Sequence, residues 1–191
     1  IANAEFNSNR VPKSEMRRSS GLIDSHHEVK QYSTIIGSVP AKANMRRNTH
    51  RVSSVYGHKG AETFIKAMEL ACIESEKLIE KHLPNVYELQ LSKIKEVPRE
   101  WRFGSLFTSS ISNYNIAAPF HFDKANINGC VNVIIVKKRF ASGGNTVVPD
   151  YDAVMDSSNN SMLVYPAWKS LHGVTPIEPI RKDGYRNSLH H

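Results

Sequence analysis

Cysteine is scarce in this chain of 191 residues, which contains only Cys72 and Cys130. Two cysteines in a chain of this length do not make a disulfide framework of the kind that small secreted domains use. The scarcity therefore predicts a reducing intracellular compartment, the cytoplasm or the nucleus. We interpret Cys72 as a buried thiol without a catalytic role.

Long apolar runs are also missing from the sequence. No stretch approaches the roughly eighteen consecutive apolar residues that a transmembrane helix needs. Residues 1–5 show no charged region followed by an apolar run, so no signal peptide is predicted. Hydrophobic residues make up 40% and charged residues 23% of the chain, which excludes wholesale disorder. We expect a single domain, with no membrane partner and no evident protein partner.

Positive charge is concentrated near the N-terminus. The net charge is +7, and residues 1–60 carry ten Lys and Arg against only four Asp and Glu. A basic segment on a nearly neutral body favours a polyanionic partner, most commonly nucleic acid, although a solvated surface segment has the same composition. We divide the chain into a basic N-terminal arm at residues 1–58, packed on the core, and a core domain at residues 59–191.

Apolar residues at three- and four-residue spacing predict a long helix over residues 59–83. Gly60 precedes this pattern, and Pro84 ends it. Charged residues lie mostly off the apolar stripe, so the helix is expected to pack against a sheet. The stripe consists of Ala61, Phe64, Ile65, Met68, Ala71, Cys72, Leu78 and Ile79.

Strand patterns dominate the chain from residue 101 onwards, and no helix pattern interrupts them. Strands that follow each other with only Gly, Pro and Asn turns between them are typical of antiparallel sheets. We therefore predict a mostly β protein with some α: a double-stranded β-helix (jelly-roll, cupin-like) core with one long supporting helix. The arm is expected to hold loops and one or two short strands around residues 32–39. The predicted core strands are 130–136, 146–148, 161–165, 171–177 and 185–189.

Two histidines and an aspartate form a candidate metal site. His121 and Asp123 are separated by one residue, so in an extended segment both side chains point to one face. His172, in a later predicted strand, can supply a third ligand. Two His and one carboxylate that leave coordination positions open are typical of non-haem Fe(II) oxygenases, which hold O₂ and a co-substrate on iron. A competing pair, His26 and Glu28, lies in the arm, where no sheet is predicted to orient it.

A candidate co-substrate anchor follows fourteen residues after His172. Arg186 and Ser188 share one face of the last predicted strand. A guanidinium group can bind a carboxylate with two parallel hydrogen bonds, and a hydroxyl can add a third. This pair therefore suits the distal carboxylate of 2-oxoglutarate.

These motifs together resemble the Fe(II)/2-oxoglutarate-dependent dioxygenase superfamily. The pattern is most similar to the TET/JBP branch, which oxidises the 5-methyl group of pyrimidines in DNA. The resemblance covers about residues 100–191, and Arg46 and Arg47 in the arm match more loosely. The motifs that carry it are His-x-Asp-x-x-Asn at 121–126, Gly-Gly at 143–144, Leu-His-Gly-Val-Thr-Pro at 171–176 and Arg-Asn-Ser-Leu at 186–189.

The resemblance implies a role for each residue that matches a motif. The two histidines and Asp123 would hold Fe(II), and Arg186 with Ser188 would hold 2-oxoglutarate, with O₂ as the second co-substrate. Asn126 would touch the edge of a base flipped out of duplex DNA, and Arg47 would be a substrate contact in the arm. The reaction would hydroxylate the methyl group of 5-methylcytosine or thymine while 2-oxoglutarate becomes succinate.

Several alternatives remain open on the sequence alone. The enzyme could instead hydroxylate a protein or a small molecule, or the chain could be a β-barrel that binds nucleic acid without catalysis. Asn126 could simply be a turn residue. Asn113 and Asn115, just upstream of the metal motif, could reach the pocket or cap a turn. Arg46, Arg47 and Arg51 could lie in a solvated loop.

Overall fold

The computed structural model of the protein describes residues 31–41 and 48–191. Within these ranges it contains two α-helices and twelve strands, most of them short. The helices are α1 (Glu62–His82) and α2 (Pro84–Ile94). The strands are β1 (Tyr32–Val39), β2 (Arg51–Val52), β3 (Ser109–Tyr114), β4 (Ala118–His121), β5 (Asn132–Arg139), β6 (Ala141–Gly143), β7 (Thr146–Val148), β8 (Ala153–Met155), β9 (Ser161–Tyr165), β10 (His172–Val174), β11 (Ile177–Pro179) and β12 (Tyr185–His190).

The strands form two facing antiparallel sheets and one short pair. The major sheet has six strands in the order β2-β1-β3-β12-β5-β9, and the minor sheet has four in the order β4-β10-β7-β8. The short pair joins β6 to β11. Every strand pairing is antiparallel, with strands distant in sequence lying side by side. The prediction of a mostly β jelly-roll core is confirmed.

The helical part of the prediction is incomplete, because two helices stand where one was expected. Pro84 ends α1, as predicted, but it also occupies the first turn of α2. Proline is tolerated there because the first N–H groups of a helix have no intrahelical partner. No helix among the described residues is long and apolar enough to cross a membrane.

The major sheet buries one face against the helices. Ile36 of β1 and Val133 of β5 are fully buried with Phe64, Met68 and Ile79 of α1. Because side chains alternate across a strand, the neighbouring positions of β12 and β5 face the other way, toward the minor sheet. The prediction that the helical stripe packs on a sheet holds, and Cys72 lies buried on it, where burial raises the pKa of its thiol.

One segment agrees with its predicted strand, and another differs from it: β1 covers the range 32–39 in which a short strand was expected. β1 is a full eight-residue strand that pairs with β3 over Tyr32 to Gly37, well inside the major sheet. The strand predicted at 171–177 is instead divided into β10 and β11. Its chain turns out of the minor sheet at Thr175, whose N–H donates to Asn145, and at Pro176, which has no N–H to donate.

Candidate metal centre and co-substrate pocket

The fold brings the three predicted metal ligands together. His121 ends β4, His172 begins β10, and the two residues are register partners in the minor sheet. Asp123 lies just beyond β4, where its N–H donates to the Ala167 carbonyl at 3.1 Å. Its carboxylate lies 3.5 Å from His121 Nε2 and 3.8 Å from His172 Nε2. One ligand atom from each residue falls within 4.8 Å of the others, so all three could reach one metal ion.

Both imidazole rings are oriented by main-chain carbonyls. His121 Nδ1 lies 2.8 Å from the Pro119 carbonyl, and His172 Nδ1 lies 2.9 Å from the Ser170 carbonyl. A carbonyl can only accept, so each Nδ1 carries the proton and each Nε2 is left for the centre of the cluster. Histidine ligands of metals are usually held in this way by an outer hydrogen bond. The donor set therefore fits a divalent transition metal such as Fe(II).

The charges of the cluster also suit a cation. The hydrogen bond to Asp123 raises the pKa of His121, and this effect outweighs the opposing effect of burial. Burial by itself would raise the pKa of Asp123, but His121 and His172 lower it overall, so the carboxyl is ionised at neutral pH. A metal ion would replace the proton that His121 shares with this carboxylate.

Arg186 is the most unusual buried residue of the described chain. Its side chain is 0% exposed, yet only Nη1 has a partner, the Ser188 hydroxyl at 2.9 Å. The Nε and Nη2 groups are buried without any hydrogen bond. Burial lowers the pKa of the guanidinium to about 10, so it is still charged at neutral pH. A buried cation with two unsatisfied donors is costly unless a ligand accepts from them, and a carboxylate would do so.

The Arg186 backbone is fixed by Asn115, a residue whose role the sequence left open. Asn115 accepts from the Arg186 N–H through Oδ1 at 2.8 Å, and its own N–H donates to the Arg186 carbonyl at 2.7 Å. Asn115 has a positive φ of 53°, which asparagine tolerates better than most residues. It therefore both ends β3 and positions the anchor, while Asn113 in β3 accepts from the Ser33 hydroxyl at 2.8 Å.

The side chain of Arg186 lies against Gly144, which has a φ of +70°. A Cβ at Gly144 would lie 2.3 Å from Arg186 Cδ. We expect Gly144→Ala to cost about 1–2 kcal/mol of stability through its backbone conformation. It should also displace the guanidinium and weaken 2-oxoglutarate binding about tenfold, the equivalent of one hydrogen bond to a charged group. Calorimetric titration with 2-oxoglutarate in the presence of Mn(II) measures the second effect.

Gly60→Ala is the matched control for this prediction. Gly60 has a φ of +87°, but a Cβ added there would meet nothing within 4 Å. This control should lose similar stability and keep its 2-oxoglutarate affinity. Equal affinity losses in the two variants would show that Gly144 acts through general stability and not through contact with Arg186.

The structure says less about the predicted substrate contacts than about the predicted metal ligands. Asn126 is half-buried in the turn after Asp123, to whose carbonyl its N–H donates at 3.0 Å. Its side-chain amide donates to Asn132 Oδ1 at 2.9 Å. Arg51 is exposed in β2, at the edge of the major sheet. The structure thus leaves the role of Asn126 a prediction. Arg46, Arg47, His26 and Glu28 lie outside the described residues.

One residue beside the anchor was not predicted at all. His190 follows Arg186 and Ser188 on the same face of β12, and its Nε2 lies 2.9 Å from the Ser188 hydroxyl. Burial, and then the charge of Arg186, lower the pKa of His190 to about 3, while Asp123 acts in the opposite direction. The alternation of β12 is the sequence signal that could have identified it.

Comparison with known structures identifies the fold. The protein superposes on the structure of NgTET1 in complex with 5mC DNA with a TM-score of 0.61 and 13% sequence identity. The chain has the fold of NgTET1. The match covers 83% of this chain but 59% of the NgTET1 chain, so this chain spans less than two thirds of that protein.

Other comparisons add little to the NgTET1 match. A cupin-like protein from Desulfovibrio desulfuricans matches with a TM-score of 0.28 and 20% identity, over 43% of this chain and 68% of that one. This second superposition is too poor to support any argument. No protein-family model matches the chain, and no curated protein matches it significantly. Similarity to NgTET1 is therefore a statement about the fold.

Proposed function

We propose that this protein is an Fe(II)- and 2-oxoglutarate-dependent dioxygenase that hydroxylates the 5-methyl group of a pyrimidine, 5-methylcytosine or thymine, in DNA. The observation that carries the proposal is the pairing of a His-Asp-His cluster with a fully buried arginine whose Nε and Nη2 have no partner. His190 links the two, because its electrostatic neighbours include Arg186 on one side and Asp123 and His172 on the other. In this proposal the anchor and the metal cluster would border one co-substrate pocket.

Each residue of the pocket has a separate task in this proposal. His121, Asp123 and His172 would hold the iron, with each ring already oriented by its Nδ1–H bond. Arg186 would bind the distal carboxylate of 2-oxoglutarate through its two unpartnered N–H groups. Fe(II), when bound with 2-oxoglutarate and O₂, supplies the oxidising power that turns a methyl group into a hydroxymethyl group as 2-oxoglutarate gives succinate and CO₂.

A buried apolar cluster lies beside these residues. Ile134 and Val136 of β5 and Val148 of β7 pack with Tyr165, whose ring meets His172 edge-on at 5.3 Å. Apolar surroundings would limit the water that can reach the reacting methyl group. They would also strengthen the attraction between Arg186 and a carboxylate, because the local dielectric is low.

Two observations support DNA as the substrate. The arm at residues 1–58 is rich in Lys and Arg, which would bind phosphates, and the NgTET1 structure that shares this fold is a complex with 5mC DNA. A methylated base inside a duplex cannot reach a buried metal, so the base would have to flip out at a cost of a few kcal/mol. Phosphate contacts from the arm and Lys124 would help to offset that cost.

One experiment tests the proposed function directly. Purified protein is incubated with Fe(II), 2-oxoglutarate and duplexes that carry either 5-methylcytosine or unmodified cytosine, and nucleosides and succinate are measured by mass spectrometry. We expect hydroxymethylated nucleoside in an amount that matches the succinate formed. Succinate without any modified nucleoside would favour a protein or small-molecule hydroxylase. DNA binding without succinate formation would favour a non-catalytic nucleic-acid-binding barrel.

The arm gives a separate prediction about DNA binding. Replacement of Arg46, Arg47 and Arg51 by Ala should weaken DNA binding and reduce the slope of log K against log salt by up to about 0.9 per lost phosphate contact. Turnover at saturating DNA should fall less, because phosphate contacts position the duplex without touching the reacting atoms. Fluorescence anisotropy at several salt concentrations measures the slope.

The three single variants separate phosphate contacts from pocket contacts. An arginine that lines the pocket, as the resemblance implies for Arg47, would lower turnover at saturating DNA and leave the salt slope nearly unchanged. Arg99→Ala, a change of an exposed arginine outside the arm, is the control for general loss of positive charge. If none of the arm variants differs from this control, the arm is not a DNA-binding element.

A further inference from the structure

Arg186, Ser188 and His190 form a continuous hydrogen-bonded row on the inner face of β12. Arg186 Nη1 donates to Ser188 Oγ at 2.9 Å, and His190 Nε2 lies 2.9 Å from the same oxygen. The row is held in the middle of the major sheet, where Ser188 pairs with Val136 on one side and Asn113 on the other. The geometry of the three groups is therefore set by the sheet and not by a mobile loop.

The number of protons in this row limits what Ser188 can do for a ligand. A serine hydroxyl has one proton to donate, and an arginine side chain can only donate. Ser188 therefore accepts from Arg186, and its proton has two possible destinations. It can be donated to His190 Nε2, or it can be donated to a ligand if His190 Nε2 carries a proton of its own and donates to Ser188.

The choice between these arrangements is a choice between two neutral tautomers of His190. Burial and the neighbouring Arg186 keep the ring uncharged at neutral pH. One tautomer has its proton on Nδ1 and consumes the Ser188 proton. The other has its proton on Nε2 and leaves the Ser188 proton free. Among the described residues, His190 Nε2 is the only hydrogen-bond acceptor found for the Ser188 hydroxyl, so the first tautomer is favoured in the free protein.

A carboxylate at the anchor changes this balance. Arg186 Nε and Nη2 offer two donors, and a carboxylate has about four acceptor sites, so a third donor is favourable. Ser188 can be that third donor only when His190 donates to it from Nε2. We propose that His190 is a positioning residue for the 2-oxoacid co-substrate, whose change of tautomer on binding releases the Ser188 hydroxyl to the distal carboxylate. Nδ1 gives its proton to solvent water, Nε2 takes a proton from solvent water and Ser188 keeps its own, so the net charge is unchanged.

This inference rests on the proposed binding of 2-oxoglutarate, and nuclear magnetic resonance can test it without turnover. Protein labelled with ¹⁵N-histidine and loaded with diamagnetic Zn(II) is titrated with 2-oxoglutarate, and long-range ¹H–¹⁵N spectra report which ring nitrogen is protonated. The His190 signals are assigned by their loss in His190→Gln. We expect the Nδ1–H tautomer in the free protein and the Nε2–H tautomer in the saturated protein. An unchanged tautomer at saturation would overturn the proposal.

Binding measurements on variants provide a second, independent test. With Mn(II) in place of iron, Ser188→Ala should raise the Kd for 2-oxoglutarate about tenfold, because the third donor to the carboxylate is lost. His190→Leu can no longer accept the Ser188 proton, so the hydroxyl is free for the ligand and this Kd should be no higher than that of the wild type. Adding Ser188→Ala to His190→Leu should then cost about tenfold again. A His190→Leu protein that binds 2-oxoglutarate about tenfold more weakly than the wild type would overturn the proposal.

The two proposals fail in different ways. If the wild-type protein with Mn(II) does not bind 2-oxoglutarate, the proposed function and the proposed role of His190 are both wrong. If the wild type binds 2-oxoglutarate but the His190 tautomer and the variant affinities do not behave as described, only the role of His190 is wrong.

Discussion

Asp123→Ala is expected to abolish hydroxylation while leaving the protein folded. Asp123 contributes the only carboxylate of the His-Asp-His cluster, and its oxygens face both Nε2 atoms at 3.5 and 3.8 Å. Losing an outer partner of a metal ligand typically costs 10–100-fold in metal affinity or activity. Loss of the ligand itself should therefore reduce product formation by at least about 100-fold. Nucleoside mass spectrometry and calorimetric titration with Mn(II) measure product formation and metal affinity.

Stability provides the internal check on the Asp123 variant. The Asp123 side chain is 35% exposed and lies outside both buried clusters, so the melting temperature of the metal-free protein should change little. Asp156→Ala is the matched control, because the Asp156 side chain is 78% exposed and faces Lys138 at 3.9 Å. An Asp123→Ala protein that binds metal as tightly as wild type, or retains full activity, would refute the assignment of the metal site.

Arg186→Lys is expected to weaken 2-oxoglutarate binding by about 10–100-fold, which corresponds to one or two hydrogen bonds to a charged group. Lysine retains the positive charge but cannot present two parallel N–H groups to a carboxylate. It also cannot maintain the bond from Nη1 to Ser188 with the same geometry. DNA affinity should change little, because the side chain is fully buried. The measurement is the 2-oxoglutarate Kd in the presence of Mn(II), with DNA affinity determined in parallel.

Arg181→Lys is the matched control for the anchor. Arg181 is the nearest arginine before Arg186 along the chain, but its side chain is 60% exposed, pairs with Asp183 at 3.4 Å and stacks on Phe140. This control should bind 2-oxoglutarate normally. If Arg181→Lys weakened binding and Arg186→Lys did not, the anchor would have to be reassigned to the protein surface.

The grouping of His121, Asp123 and His172 could be predicted from the sequence because its key feature is local. His121 and Asp123 are two residues apart, and alternation in an extended chain is enough to place both on one face. The inclusion of His172 required a further assumption, that a later strand lies beside the segment of His121. The antiparallel pairing of β4 with β10 confirms it. The types of α1 and of the longer core strands were also predictable from their periodicity, although the ends of the strands were not.

Other features could not be predicted because they depend on contacts between distant segments. The division of the strand predicted at 171–177 follows from hydrogen bonds to Asn145 and Gly144, some thirty residues upstream. The close approach of Gly144 to Arg186 depends on how the short β6–β11 pair meets β12. The second helix was missed for another reason. Pro84 was interpreted only as the end of the first helix, and not also as the first residue of the next.

The central position of β12 has a consequence for how the protein folds. β12 lies between β3 and β5, and its bonds to β3 and to Asn115 just after it join residues 75 and 71 positions apart along the chain. Long loops must close before such contacts can form, which makes folding slow. Because the strand that completes the sheet also carries Arg186, a bound dicarboxylate stabilises only molecules in which this late insertion has occurred. 2-Oxoglutarate should therefore slow unfolding and protect the whole sheet from proteolysis, well beyond the few residues it touches.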